Sequence, residues 1–158
     1  MFSYFRTMTS ADLSWVLSVE QKAYDFPWSE QGFEKALDDG LAYVFCDVDH
    51  RPLGYACFLT VLDEAHLLNF CIAPKYARQG IGFAAMQALI DYFKPADYEI
   101  MLLEVRESNS AVYLYQKLGF IENGIRPNYY KAMVFEDGEL KQGKEDAILM
   151  SLGLSSKA

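Results

Sequence analysis

Between Leu67 and Ala88 the chain passes through an apolar strand-like stretch, Pro74, then Arg78-Gln79-Gly80-Ile81-Gly82, and finally a helical pattern. A strand that feeds a helix through two closely spaced glycines leaves backbone N–H groups bare at the helix start. The positive end of the helix dipole points the same way, so the segment predicts an anion site. Glycine admits the left-handed dihedrals such a turn needs and lets a phosphate approach the backbone closely. Glycines also end strands and open helices for structural reasons alone, so the rest of the chain decides what this loop does.

The flanking segments predict a mixed α/β arrangement. Ser10 is a candidate cap for a helix over about 11–24, where Leu13, Val16, Leu17, Glu20 and Tyr24 fall on a helical period. Phe26-Pro27-Trp28 breaks that helix, and Ser29 caps a second, short one ending near Gly40. Leu41–Val48 and Leu53–Val61 form a hairpin around Asp49-His50-Arg51-Pro52, and a third strand covers about 65–73. After the glycine loop come a helix over Phe83–Phe93, a buried strand over Glu99–Val105, and a helix carrying Ala111, Leu114, Tyr115 and Leu118 as one stripe. Gly119 ends that helix, Phe120-Ile121 opens a strand, and Ala147–Leu152 forms the last strand after a polar loop. Two helices, a meander and a strand–helix–strand–helix–strand run predict one mixed sheet.

With 158 residues, the chain is expected to be a single domain over 1–158, large enough to bury its own core. Its 52% apolar and 15% aromatic content excludes disordered and fibrous classes. The net charge of −8 argues against direct nucleic-acid binding and is compatible with a cationic partner or with ordinary solubility. No apolar run approaches the roughly 20 residues that span a bilayer, and no signal-peptide pattern opens the chain. The expectation is a cytoplasmic protein without membrane association. Cys46, Cys57 and Cys71 lie in apolar runs without C-x-x-C spacing and read as reduced core thiols. His50 and His66 have no metal-ligand spacing, so no metal site is expected.

Ligands of open sheets with helical crossovers bind beyond the carboxyl ends of the strands. Here the strand ending near Ala73 feeds the glycine loop, and the strand ending near Val105 feeds Glu107-Ser108-Asn109, a second helix start. Two adjacent helix starts suit one long phosphate-bearing ligand. Neither G-x-x-x-x-G-K-[ST] nor a full G-x-G-x-x-G is present, which leaves a pyrophosphate cradle outside the usual nucleotide folds.

The A-x-x-G-x-G loop after an apolar strand, with Asn109 and Leu114-Tyr115-Gln116-Lys117-Leu118-Gly119-Phe120, resembles the Gcn5-related N-acetyltransferase (GNAT) superfamily. Within it the chain is most similar to the RimI group, which acetylates the N-terminal alanine of a small-subunit ribosomal protein. That closer likeness rests on Phe26-Pro27-Trp28-Ser29-Glu30, Leu62-Asp63-Glu64-Ala65, Leu103-Glu104-Val105-Arg106, Ser108-Asn109, Asn128-Tyr129-Tyr130 and Glu145-Asp146-Ala147-Ile148. The resemblance implies a mostly antiparallel sheet with helices on both faces and a splayed strand pair holding acetyl-CoA.

By the same resemblance, Phe70, Cys71 and Ile72 lie along the pantetheine and pair with its amides as a strand would. Arg78, Gln79, Gly80, Ile81, Gly82 and Phe83 wrap the pyrophosphate, and Asn109 reaches the cofactor from the next helix. Ala77 stands where the superfamily prefers Gln or Arg, and Phe83 where RimI relatives often carry Arg. Both departures remove side-chain donors and keep the backbone N–H groups, so weaker binding is the most they imply.

Acyl transfer to an amine needs a group to take a proton, because an α-amine has a pKa of about 7.7–8.0. Glu104 stands at the family's base position, and strand alternation puts it on the face of Ile100 and Leu102, which predicts partial desolvation and a raised pKa. The competing reading is a strand-end carboxylate paired with Arg106 or a nearby N–H. Tyr115 stands at the position of the acid that protonates departing CoA; otherwise it is core packing on its stripe. Backbone N–H groups near Cys71 and Ile72 are candidates to polarise the thioester carbonyl. A ping-pong route through Cys71 is the alternative to direct attack in a ternary complex; no His is near it in sequence.

Phe26, Trp28, Tyr129 and Tyr130 either line a peptide groove or plug the sheet ends. Asp25, Glu30, Asp63 and Glu64 are placed to attract the basic tail of a ribosomal protein, the expected partner, and a monomer is slightly favoured. Lys131–Lys144 is longer than the matching stretch of RimI relatives and borders the groove, which bears on the acceptor. Two other functions remain open: acetylation of another amine (a lysine side chain, polyamine or small molecule), and a non-catalytic acyl-CoA-binding module.

Overall fold

The computed structural model describes residues 1–39, 41–94 and 98–154. β2 (Ala42–Cys46) and β3 (Pro52–Val61) are covered on both sides of the sheet, since their apolar runs are buried on both faces. Tyr43, Phe45, Ala56 and Phe58 face one core, and Ala42, Val44, Tyr55 and Cys57 face the other. α1 (Leu13–Ala23) and α2 (Glu30–Asp38) cover the second face through Val16, Val19 and Phe33. α3 (Ile81–Phe93) and α4 (Ala111–Lys117) cover the first through Met86, Leu89, Phe93 and Tyr115. Helices thus pack on both faces, as expected.

The sheet has seven strands in the order β1-β2-β3-β4-β5-β7-β6, with β1 at Tyr4–Thr7, β4 at Glu64–Ile72 and β5 at Ile100–Arg106. Every neighbouring pair is antiparallel except β4 and β5. Those two pair in parallel only from Glu64↔Ile100 to Leu67↔Leu103, and both then continue without pairing each other. This is the splay that the resemblance implied.

Three expectations need correction. β1 has no counterpart in the sequence reading: it is a four-residue edge strand whose ladder, Tyr4↔Cys46 to Thr7↔Tyr43, joins residues 36 to 42 positions apart. Ser10 does not cap the first helix; it begins a 3-10 turn (Ser10–Asp12) whose entry is set by Asp12 accepting from the Thr9 N–H at 2.9 Å. The stretch expected as a polar loop before the last strand is the outer part of a long hairpin. There β6 (Ile121–Glu136) pairs with β7 (Glu139–Gly153), closed by Asp137-Gly138 with φ of 54° and 76°. Two left-handed residues at an Asp-Gly turn match the twist of paired strands. The expected end of the second helix near Gly40 and the expected turn through Pro95, Ala96 and Asp97 lie partly outside the described residues.

Gly54 on β3 lies directly against β4: an added Cβ would sit 2.3 Å from the Cys71 carbonyl oxygen. Since that neighbour is backbone, relief requires the strands to part. Gly54→Ala is expected to destabilise the protein by about 1–3 kcal/mol, read as a lower midpoint in chemical denaturation with an unchanged slope.

Candidate active site

The splay opens a channel through the middle of the sheet. At its centre is a cavity of about 140 Å³ lined by Glu20, Asn69, Phe70, Glu104, Tyr115 and Tyr130 among others. On the glycine-loop side it shares Tyr24, Phe70 and Asn109 with a cleft of about 630 Å³. On the other side it shares Trp28, Glu104 and Tyr130 with a cleft of about 600 Å³ that also takes in Arg126 and Tyr129.

In the larger cleft, Phe70, Cys71, Ile72, Arg78, Gly80, Ile81, Gly82, Phe83 and Asn109 all appear; Gln79 lies in the same turn without lining it. α3 begins at Ile81 after Gly80 with no side-chain cap, and its first intrahelical bond runs from the Ala84 N–H to the Gly80 carbonyl. The N–H groups before Ala84 are therefore donors without an intrahelical acceptor, the arrangement that suits a pyrophosphate. The two glycines have different roles. Gly80 adopts φ 78° in open space, whereas a Cβ on Gly82 would meet Leu114 and Phe70 at 3.4 Å, so Gly82 lets α3 pack closely. Arg78, with φ 62°, takes a left-handed conformation that the sequence did not signal.

Along β4 the Ala73 N–H donates to the Leu53 carbonyl at 2.8 Å, so strand alternation turns Cys71 toward β3 and Phe70 and Ile72 toward the open edge. The Phe70 carbonyl is already engaged there by the Tyr24 hydroxyl at 2.6 Å. Backbone donors for a ligand on this edge thus come from Phe70 and Ile72, not Cys71. Burial pushes the Cys71 thiol up to about 11. Asn109 spends its side-chain carbonyl on the Ala111 N–H at 2.9 Å, in the turn before α4, while it borders the cleft.

Glu104 shares its face with Ile100 and Leu102, but α1 and α2 stop over β4, and this face of β5 stays partly open. The carboxylate keeps 32% of its surface, less desolvated than expected. Its partner is neither Arg106 nor a backbone N–H: Arg126 Nη2 reaches Glu104 Oε1 at 2.9 Å from β6. Arg106 turns away, stacked 4.5 Å from the Tyr130 ring and 5.6 Å from Phe26, and pairs with Glu145 at 3.7 Å. Tyr115 is buried beside Phe70 and Phe120 while it lines the central cavity, and that burial, helped by Tyr130, pushes its phenol above the usual tyrosine range.

Trp28, Tyr129 and Tyr130 line the cleft beyond Glu104, from the α1–α2 connection and from β6, whereas Phe26 lines the central cavity and the flanking cleft of Asp25 instead. Each is also packed: Trp28 against Phe33 at 5.2 Å, Tyr129 under Arg126 at 4.8 Å. The four acidic residues do not gather there. Asp25 borders a flanking cleft with Arg106 and Glu145, while Glu64, at the far end of β4, faces His66 at 3.1 Å. Sequence reasoning missed Glu20, Tyr24, Asn69 and Arg126. The signal available was Glu20 and Tyr24, two polar residues four apart on the inward stripe of a helix. Among the described residues no group of three His, Cys, Asp or Glu side chains can hold a metal, and no helix is long and apolar enough to cross a membrane.

The gap thus brings together a parting parallel strand pair, a helix N-terminus, a carboxylate and a buried phenol. The acetyltransferase (GNAT) family model matches residues 6–120, and the chain belongs to that family. It is 38% identical over 152 residues to the [ribosomal protein bS18]-alanine N-acetyltransferase of Escherichia coli (strain K12), covering 94% of this chain and 96% of that one. The enzyme of the same description from Haemophilus influenzae is 34% identical over 149 residues, covering 94% and 97%. The crystal structure of the E. coli ribosomal-protein-S18-alanine N-acetyltransferase superposes with a TM-score of 0.85 at 36% identity, covering 100% of this chain and 97% of that one.

Gly80→Ala forces an L-residue into φ 78° and so strains the turn that presents the bare N–H groups. The expected outcome is a loss of about 1–2 kcal/mol of stability and a several-fold weaker CoA affinity, measured by denaturation and calorimetry.

Proposed function

We propose that residues 1–158 act as one N-acetyltransferase domain that moves the acetyl group of acetyl-CoA to the N-terminal α-amine, alanine in the first place, of a small-subunit ribosomal protein. The observation that carries this reading is the central cavity, which joins the glycine-loop cleft to the aromatic cleft and has Glu104 and Tyr115 on its wall. The high-coverage likeness to enzymes described as bS18-alanine N-acetyltransferases supports the choice of acceptor.

Acetyl-CoA supplies a thioester carbonyl next to the central cavity. The unsatisfied N–H groups at the start of α3 hold its pyrophosphate, and the open-edge groups of Phe70 and Ile72 align its pantetheine amides. The acceptor amine enters from the cleft of Trp28, Tyr129 and Tyr130. Glu104, held in orientation by Arg126, takes the proton of the amine directly or through a water. Tyr115, kept protonated by burial, donates to the departing thiolate. Cys71, its thiol pushed up to about 11 by burial in the core beneath α1, makes a poor nucleophile, which supports direct attack in a ternary complex.

The decisive assay compares a peptide beginning with Ala against the same peptide blocked at its α-amine but bearing lysines. Acetylation of only the free N-terminus is expected, and equal turnover of both would overturn the reading. Glu104→Gln should lower kcat by about 10²–10⁴ near neutral pH, the range for losing a general base. A loss below tenfold would assign the proton to another group. Tyr115→Phe should lower kcat by roughly 10² while acetyl-CoA affinity holds; a matching loss of affinity would mark Tyr115 as structural.

A further inference from the structure

Glu20 and Ser151 are the buried polar side chains of the described residues, and Glu20, at 2% exposed, carries a carboxylate. Among those residues the ion pairs all involve other acids, so its charge meets neutral donors alone. They come from three elements: the Tyr55 hydroxyl of β3, the Trp28 N–H at 3.0 Å, and Asn69 Nδ2 of β4 at 3.1 and 3.2 Å from the two oxygens. Burying a carboxylate without a cation costs stability that an apolar side chain of the same volume would not. What it secures is orientation.

A carboxylate only accepts, so Asn69 must offer it the NH₂ end of its amide. The carbonyl end then points away from Glu20, and Asn69 lines the central cavity together with Glu104 and Tyr115. Among the described residues nothing donates to that Oδ1, and no buried side-chain oxygen there lacks a partner, so the atom is not fully buried, on a residue that lines the cavity. The same carboxylate fixes the Trp28 backbone, and with it the ring between the central cavity and the aromatic cleft.

We propose that Glu20 is a positioning residue for the acceptor: acting through Asn69 and Trp28, it aims the Asn69 carbonyl at the incoming amine, whose N–H it accepts. This rests on the reading that an α-amine enters the central cavity. A carbonyl oxygen attracts ammonium and neutral amine alike, so Asn69 holds the nitrogen while Glu104 removes its proton.

The test uses the full chain, a peptide beginning with Ala, and CoA affinity as a second readout. In Glu20→Gln the new amide end needs an acceptor, which turns the Asn69 carbonyl inward and away from the cavity. Peptide KM should rise about tenfold or more, with kcat within about threefold and CoA affinity unchanged. The exchange Glu20→Gln with Asn69→Asp swaps donor and acceptor, leaves an oxygen facing the cavity, and should bring KM back toward wild type. Asn69→Leu, at the partly exposed cavity wall, should raise KM by a similar factor even where Glu20 variants fold poorly. Unchanged KM in Asn69→Leu, or no recovery in the double variant, overturns the assignment while leaving the proposed function intact. A wild type that acetylates no peptide α-amine overturns both.

Discussion

The structure turns on the place where β4 and β5 stop pairing, after Leu67↔Leu103. A parallel pair in mid-sheet ordinarily satisfies its inner edges with its own ladder. Here the ladder ends and leaves a row of N–H and C=O groups inside the molecule, and such groups need partners. Tyr24 meets one of them, at the Phe70 carbonyl. The others face the clefts on either side of the central cavity, so the opening exists because the sheet is incomplete.

The rest of the molecule holds that gap open and gives its walls chemistry. α1 closes one side by placing Glu20 and Tyr24, one turn apart, on Asn69 and Phe70 of β4. The β6–β7 hairpin closes the other, sending Arg126 to Glu104 and laying Tyr130 over Arg106. The connection before α2 and the β6 strand meet at Arg106, stacked between Phe26 and Tyr130 and tied to Glu145. Each wall is thus pinned by a charge-assisted contact, which costs less reorganisation when a ligand arrives than a wall of loose side chains would.

Much of this was legible in the chain. The strand, glycine turn and helix from Leu67 onward carry their own local rules, and the β2–β3 hairpin and the stripe through Leu114, Tyr115 and Leu118 carry theirs. β1 was not legible because four residues, three half-buried and one exposed, signal nothing until β2 lies beside them. The outer hairpin hid behind its polar composition, since its faces are solvated and lack the alternation of buried against exposed; only Asp137-Gly138 marked it. The paired role of the two glycines was half right, because φ at Gly80 and close packing at Gly82 look identical as letters.

By itself the sequence determined the order and type of most elements, the uncapped glycine start of α3, and the positions of Glu104 and Tyr115 on their strand and helix. These follow from short-range dihedral preference and hydrophobic period. Only the tertiary structure decided which charges meet. Glu104 finds Arg126 instead of Arg106, and Glu20 finds Asn69, across 22 and 49 residues of chain, because the sheet order brings β6 and α1 to the gap. Partner choice of that kind is a property of packing, where distance along the chain carries no information.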